Sequence, residues 1–289
     1  MKMILMGTGT SHGVPVIGCD CKVCTSKDVH DVRNRCSAYL CEPASIVIDT
    51  GPEFRLQAIK FGIKHIDAVL ITHSHADHLN GLDDIRVFSH TESVDPYPTK
   101  NAFATEGKGK PVFANANTIA DIKNRFDYVF TPVKEGGGKP KLDLIDCAVY
   151  GAENPIKING IEIVPVPLLH GTLNDSGWLL TETKADGSRH SIAYLTDCSC
   201  VPEQSIRMMQ KHAGIMDHLI IDGLRVKPHS THFSFEQAIS VAEQLRPEHT
   251  WLTHITHDMT HEEVKAFVKT IVKDSLFVEP AYDGLEIEA

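Results

Sequence analysis

A chain of 289 residues with 42% hydrophobic and 23% charged residues has the balance of a globular protein able to bury a large core. No run approaches the roughly 18–20 apolar residues of a membrane-spanning helix, so no membrane partner is expected. The formal charge of −10, from 28 Lys and Arg against 38 Asp and Glu, argues against a broad basic face for long nucleic acid.

The start, MKMILMGTGTSHG, holds too few apolar residues for a secretory segment, and a cytoplasmic protein is expected. KMIL reads as an opening strand, followed by a Gly-rich turn through Gly7, Gly9, Gly13 and Gly18. Residues 37–41 and 45–48 form a hairpin pair, and Pro52 stands where it would open a helix over 56–61. Residues 66–71 are an apolar, β-branched strand that delivers Thr72 and His73 at its end. Residues 91–110 are polar and 134–141 (KEGGGKPK) read as a loop; between them lie a strand at 111–114 and a helix over 118–126. The second half carries strands near 161–168, 177–182 and 191–196, a helix over 203–212 and a strand at 217–221. Capping-box pairs, Ser234 with Gln237 and Thr260 with Glu263, open helices over 235–245 and 261–272, with a strand at 250–253 between them. Strands in runs with helices interspersed indicate an α/β (α+β layered) fold, with helices outside stacked sheets. No linker divides the chain, so a single domain over 1–289 is expected.

Among 17 His and 8 Cys, clustering decides what they mean. Residues 72–78 read THSHADH: His73, His75, Asp77 and His78 directly after a buried-type strand. Imidazole and carboxylate together suit Zn, Mn or Fe, and this spacing can divide between two adjacent ions. The run resembles the H-x-H-x-D-H motif of the metallo-β-lactamase superfamily. Asp49 in SIVIDTG precedes it and Asn80-Gly81-Leu82 follows it as in that family. His170 after IVPVPLL, Asp197 after IAYLT and His254 after TWLT come in the expected order. Each is a weak signal alone; the ordered set is strong.

The resemblance covers residues 3–287 and implies an αβ/βα four-layer sandwich with two divalent metals, Zn or Mn. His73, His75 and His170 would hold one, Asp77, His78 and His254 the other, with Asp197 bridging and Asp49 orienting a ligand. Two neighbouring cations need a bridging carboxylate to screen their repulsion, and together they make a nucleophile available near neutral pH.

Residues 18–24, GCDCKVC, put Cys19, Cys21 and Cys24 too close for disulfides and one ligand short of a tetrahedral zinc. This cluster after GTG narrows the resemblance to the PhnP-like phosphodiesterases (5-phosphoribosyl 1,2-cyclic phosphate phosphodiesterase-like). In that group the second His of the closing THxxH completes a structural zinc; here it is His257. The other cysteines (Cys36, Cys41, Cys147, Cys198, Cys200) read as packing residues, the last two flanking Asp197. His232, before the helix over 235–245, matches the group's phosphate-contacting His, whereas His229 does not. An imidazole there can protonate a leaving oxygen, so Asp77 and His232 are the candidate catalytic side chains. The remaining histidines (12, 30, 65, 90, 190, 212, 218, 249, 261) read as surface or core.

These features point to a dinuclear-metal hydrolase cleaving a small or cyclic phosphodiester, with selectivity in loops 88–110 and 171–176. The resemblance is compatible with a homodimer. A tRNA 3′-processing endonuclease shares the ligand set but needs a basic arm, for which only 134–141 is available. A PqqB-like biosynthetic or metal-binding protein would share the fold with little hydrolysis.

Overall fold

The computed structural model describes residues 1–90, 109–131, 139–273 and 276–289. The first half of the chain runs β1 (Lys2–Gly7), β2 (Ser37–Glu42), β3 (Ile46–Ile48), α1 (Phe54–Lys60), β4 (Ala68–Leu70), α2 (Ala76–Leu79), α3 (Arg86–His90), β5 (Lys110–Ala114), α4 (Ala116–Arg125), α5 (Asp127–Phe130) and β6 (Leu142–Asp146). The second half continues with β7 (Ile156–Ile158), β8 (Ile161–His170), β9 (Leu173–Thr183), β10 (Arg189–Leu195), α6 (Glu203–His212), β11 (Ile215–Asp222), α7 (Phe235–Leu245), β12 (His249–Thr253), α8 (His261–Ile271), β13 (Val278–Pro280) and β14 (Leu285–Glu288).

Two seven-stranded mixed sheets result, ordered β14-β1-β2-β3-β4-β5-β6 and β13-β12-β11-β10-β9-β8-β7. Their inner faces meet in one apolar layer. Met3, Leu5, Ile46, Ile48 and Leu70 of the first sheet pack with Ile161, Ile163, Trp178, Leu180 and Ile192 of the second. Alternation along the strands sends the other side chains outward to the helices. Val47 and Val69 meet Phe54 and Ala58 of α1 and Ile122 of α4. Across the molecule Val166, Leu168, Leu219 and Leu252 meet Met209 of α6, Ala238 and Ala242 of α7, and Val264 and Val268 of α8. Helix, sheet, sheet and helix give the four-layer αβ/βα arrangement. Burying each such Leu, Ile or Phe contributes about 1.5–3 kcal/mol.

Several expected boundaries move by about two residues. The helix expected over 56–61 starts at Phe54 with Glu53, not Pro52, as its N-cap residue. The helix expected from 118 starts at Ala116, because the Asn115 side chain accepts from Thr118 N–H and caps it. The strand expected over 66–71 is shorter, Ala68–Leu70. Most of the polar stretch at 91–110 and of the loop at 134–141 lies outside the described residues. No described helix is long and apolar enough to cross a membrane.

Candidate metal centre

The candidate site sits where strands of both sheets end. Asp49 follows β3, the 72–78 run follows β4, His170 closes β8, Asp197 follows β10, and His254 follows β12. Three of these residues, Asp49, Asp197 and His254, have left-handed backbones (φ 61°, 50° and 60°) although none is glycine. Such conformations cost about 1–3 kcal/mol each and persist only where packing over-determines them. Here each turns the chain sharply at a strand end and brings its side chain into the cluster. Two glycines clear the space: a Cβ on Gly51 would stand 2.2 Å from the Asp77 carbonyl oxygen, and one on Gly81 2.2 Å from that of Gly51. Thr50 N–H donates to the His78 carbonyl at 2.7 Å and Gly81 N–H to that of Thr50 at 2.8 Å, so the 49–51 turn clamps the ligand-bearing one.

The structure brings the seven residues together in the two expected groups. His73, His75, His170 and Asp197 offer ligand atoms all within 4.8 Å of one another, and so do Asp77, His78, Asp197 and His254. Asp197 belongs to both. His254 Nε2 lies 3.0 Å from Asp197 Oδ1, His78 Nε2 3.2 Å from both Asp77 Oδ2 and Asp197 Oδ2, and His73 Nε2 3.7 Å from Asp197 Oδ2. Yet these three Nε2 atoms are buried and make no aligned hydrogen bond. Nitrogens that crowd carboxylate oxygens without hydrogen-bond alignment, each on a buried ring, suit a shared cation better than a proton. The other ring atoms are tied back: His78 Nδ1 is 2.7 Å from Asp49 Oδ2, and His170 Nδ1 is 2.7 Å from the Thr231 carbonyl. Such outer contacts fix which nitrogen faces a metal.

The electrostatics agree. Although burial alone would raise it, Asp197 is held well below the usual carboxylate range by His254 and His78. Asp77 is lowered likewise by His78 and His254. Against burial, Asp197 and Asp77 raise His78 and His254 well above the ordinary imidazole value. His73 is lowered by burial and then by His78. The carboxylates thus demand positive charge beside them, from protons or from cations.

His232 joins this wall, its ring centroid 4.7 Å from that of His170 and 4.6 Å from that of His254. Its Nδ1 bonds Asp222 Oδ2 at 2.7 Å, and Asp222, which closes β11, also accepts Cys198 N–H at 2.9 Å. Asp222 was missing from the sequence reading, although it ends an apolar strand as Asp197 does. Burial raises its carboxyl, and the bond to His232 partly offsets this. Asp175 was missed as well: buried in β9, it lies 3.7 Å from His73 Nδ1, and no spacing in the sequence announces it.

The cysteine loop and His257 also meet. The sulfurs of Cys19, Cys21 and Cys24 each stand 3.4 Å from His257 Nδ1, four ligand atoms around one point. The Cys24 N–H lowers the Cys21 thiol to about 6, while burial pushes Cys24 up to about 11. The intervening Ile255 donates to the Thr8 carbonyl at 3.0 Å and accepts from Thr10 at 3.3 Å, which ties the His254–His257 loop to the glycine-rich turn. Cys36, Cys147 and Cys198 are buried and Cys41 is half-buried, but Cys200 is exposed and does not pack as expected. Of the histidines set aside, His12 stands edge-on to His257 with centroids 5.5 Å apart, and His90 carries a side chain outside the described set.

Residues 44–255 match the family described as the Beta-lactamase superfamily domain. The match takes in the site from Asp49 to His254 and leaves the three cysteines and His257 outside. A crystal structure of a new diphosphatase from the PhnP family is 36% identical and superposes with a TM-score of 0.78, covering 100% of this chain and 97% of that one. Zn²⁺-bound PqqB from Methylobacterium extorquens shares the fold at 16% identity, with a TM-score of 0.67 and full coverage of both chains. A Porphyromonas gingivalis (strain ATCC BAA-308 / W83) protein named octanoyltransferase is 34% identical over 291 residues, which are 99% of this chain and 51% of that protein. The chain therefore spans about half the length of the curated relative it matches.

Proposed function

The chain belongs to the β-lactamase superfamily, and we propose that it is a metal-dependent hydrolase whose substrate is a small or cyclic phosphodiester. The observation that carries this reading is the Asp222–His232 pair set against both ligand groups. It supplies a proton donor where a leaving oxygen would depart. The likeness to a PhnP-family diphosphatase over nearly the whole of both chains supports phosphorus as the centre attacked.

We assign His73, His75 and His170 to one divalent ion, Zn or Mn, and Asp77, His78 and His254 to a second, with Asp197 shared. Cys19, Cys21, Cys24 and His257 would hold a structural zinc. When bound, the two active-site ions supply Lewis acidity and a nucleophile at neutral pH.

The chain's own residues do the rest. Asp222 fixes the His232 ring through Nδ1 and leaves Nε2 to face substrate. His232 then hands its Nε2 proton to the leaving alkoxide, which would otherwise depart as a strong base. Thr231, one residue earlier, holds His170 through its carbonyl, so one short segment carries the donor and orients a metal ligand. The acidic surface disfavours a long polyanion and leaves a small anion as the fitting partner, in keeping with a cytoplasmic enzyme.

The direct test is turnover of bis-(4-nitrophenyl) phosphate, 2′,3′-cyclic nucleotides, a ribosyl cyclic phosphate and a diphosphate diester with Zn²⁺ or Mn²⁺. Cleavage of at least one, lost in His232→Ala for the alkyl esters, is the expected result. No turnover of any by metal-replete protein overturns the substrate reading.

A further inference from the structure

One buried carboxylate reaches both ligand groups. Asp49 Oδ2 lies 2.7 Å from His78 Nδ1 and accepts the Thr72 hydroxyl at 2.9 Å, while its Oδ1 accepts the Thr72 N–H at 2.8 Å. The same Thr72 oxygen stands 3.0 Å from His73 Nδ1. His73 and His78 belong to different ligand groups.

Donor counting fixes the direction of each bond. Asp49 Oδ2 accepts from the Thr72 hydroxyl, so the hydroxyl proton points to Asp49. The hydroxyl oxygen then offers His73 lone pairs alone, and His73 Nδ1 must carry the hydrogen between them. His73 Nε2 is left as a lone pair, buried, without a hydrogen bond and 3.7 Å from Asp197 Oδ2. His78 follows the same logic one step shorter, giving its Nδ1 hydrogen to Asp49 and keeping Nε2 for the cluster. The rival acceptor for His73, Asp175 Oδ1, is 3.7 Å away, beyond hydrogen-bond reach, and takes the Ser176 N–H at 2.6 Å. Thr72 is itself fully buried and β-branched, with its backbone N–H on the same carboxylate, so its hydroxyl has little freedom to turn away.

We propose that Thr72 is a positioning residue that carries the orientation set by Asp49 from His78 across to His73. One carboxylate thereby fixes the ligating nitrogen in both groups, while His170 is set independently by the Thr231 carbonyl. This rests on the metal-binding reading above, and it makes a selective claim about one group.

The test compares Thr72→Val, which keeps the shape without the hydroxyl, with Thr72→Ser, which keeps the hydroxyl, and with Asp175→Asn. Imidazole ¹⁵N spectra of metal-depleted wild type and Thr72→Ser should show His73 protonated at Nδ1, and Thr72→Val a mixture of tautomers. Co²⁺ titration follows the imidazole–carboxylate groups by their d–d bands, with thiolate charge-transfer absorption marking the cysteine site separately. Thr72→Val should weaken one of the two imidazole–carboxylate steps by about 10-fold and leave the other near wild type, with Thr72→Ser matching wild type at both. His73 protonated at Nε2 in wild type would overturn the proposal, and this outcome needs no variant to fold. So would wild-type affinity in Thr72→Val, or the same selective loss in Asp175→Asn instead. Neither readout involves turnover, so a protein that cleaves no phosphodiester refutes the substrate reading and leaves this test standing.

Discussion

His232 Nδ1 lies 2.7 Å from Asp222 Oδ2, and of the two residues the aspartate is sealed from solvent while the imidazole keeps about an eighth of its side chain exposed. A buried carboxylate behind an accessible ring is the arrangement that orients a proton donor. Asp222→Asn should therefore slow cleavage of alkyl phosphodiesters, whose leaving group needs a proton, by about 10²-fold. Nitrophenyl esters, which depart without one, should slow far less. Equal losses on both substrates, measured as kcat, would show that Asp222 only holds the loop together.

Asp197 sits in both ligand groups with a left-handed backbone. Asn tolerates that conformation well, so Asp197→Asn should fold, with a thermal midpoint close to that of metal-depleted wild type. It should lose metal at both groups and about 10³-fold in rate, the several kcal/mol that two cations contribute to charge stabilisation. Metal analysis beside the melting curve checks this. Full metal content with wild-type rate would remove Asp197 from the centre.

His254 and His257 share one short loop, so the cysteine site and the active site are mechanically joined. Cys21→Ala should bind one fewer zinc per chain and lose activity with it, because His257 no longer anchors the loop that presents His254. Elemental analysis and turnover on one preparation decide the matter; full activity with one fewer zinc would uncouple the two.

A pH prediction comes from the buried contact in which His261 Nδ1 accepts from Arg33 at 3.2 Å. Burial, then Arg33, lowers His261 from 6.5 to about 4. Between these values the unfolded chain binds the proton and the folded one does not, so stability is complete above about 6.5 and falls towards pH 4 by about 3 kcal/mol. Neighbouring Asp283, which burial raises from 3.8 to about 6, has the opposite sign: it takes its proton in the folded state first and gains stability as pH falls through about 6. The two offset in wild type. His261→Asn keeps a neutral acceptor and removes one of them, so its stability relative to wild type should rise steadily between pH 7 and pH 4. Denaturant unfolding at each pH reads the difference; a flat difference refutes the assignment.

The legible parts of this protein are those with a local signature. The 72–78 run declares its ligands because four of them fall within six residues after one apolar strand. The helices at 203–212 and 235–245 were placed to the residue: amphipathic spacing marks both, and the Ser234–Gln237 capping pair dates the start of the second. Asp222 was equally visible in principle, since LIID ends as IAYLTD does, but its partner His232 is set by how two strand ends approach, and spacing does not encode that. Thr72 hid in plain view, because its role depends on the carboxylate across from it. Edge strands such as β7 and β13 were missed because three residues carry no period. Cys198 and Cys200 illustrate the converse: two residues apart, they would share a face in a strand, but the chain turns after β10, so one faces the core and the other water.

The centre is built from both halves of the chain. His73 to His78 arrive with the first sheet, His170, Asp197 and His254 with the second. Neither half holds a complete set of donors, so the clusters exist only after the sheets have docked, and they work as a lock on that docking. During synthesis strands β1 to β6 would emerge carrying three imidazoles and a carboxylate that lack their counterparts, and closure must wait until the loop ending at His257, and then β14 of that same sheet, have left the ribosome. A cation arriving at that moment would clasp the two sheets together, so chelators should speed global unfolding as well as stop the reaction.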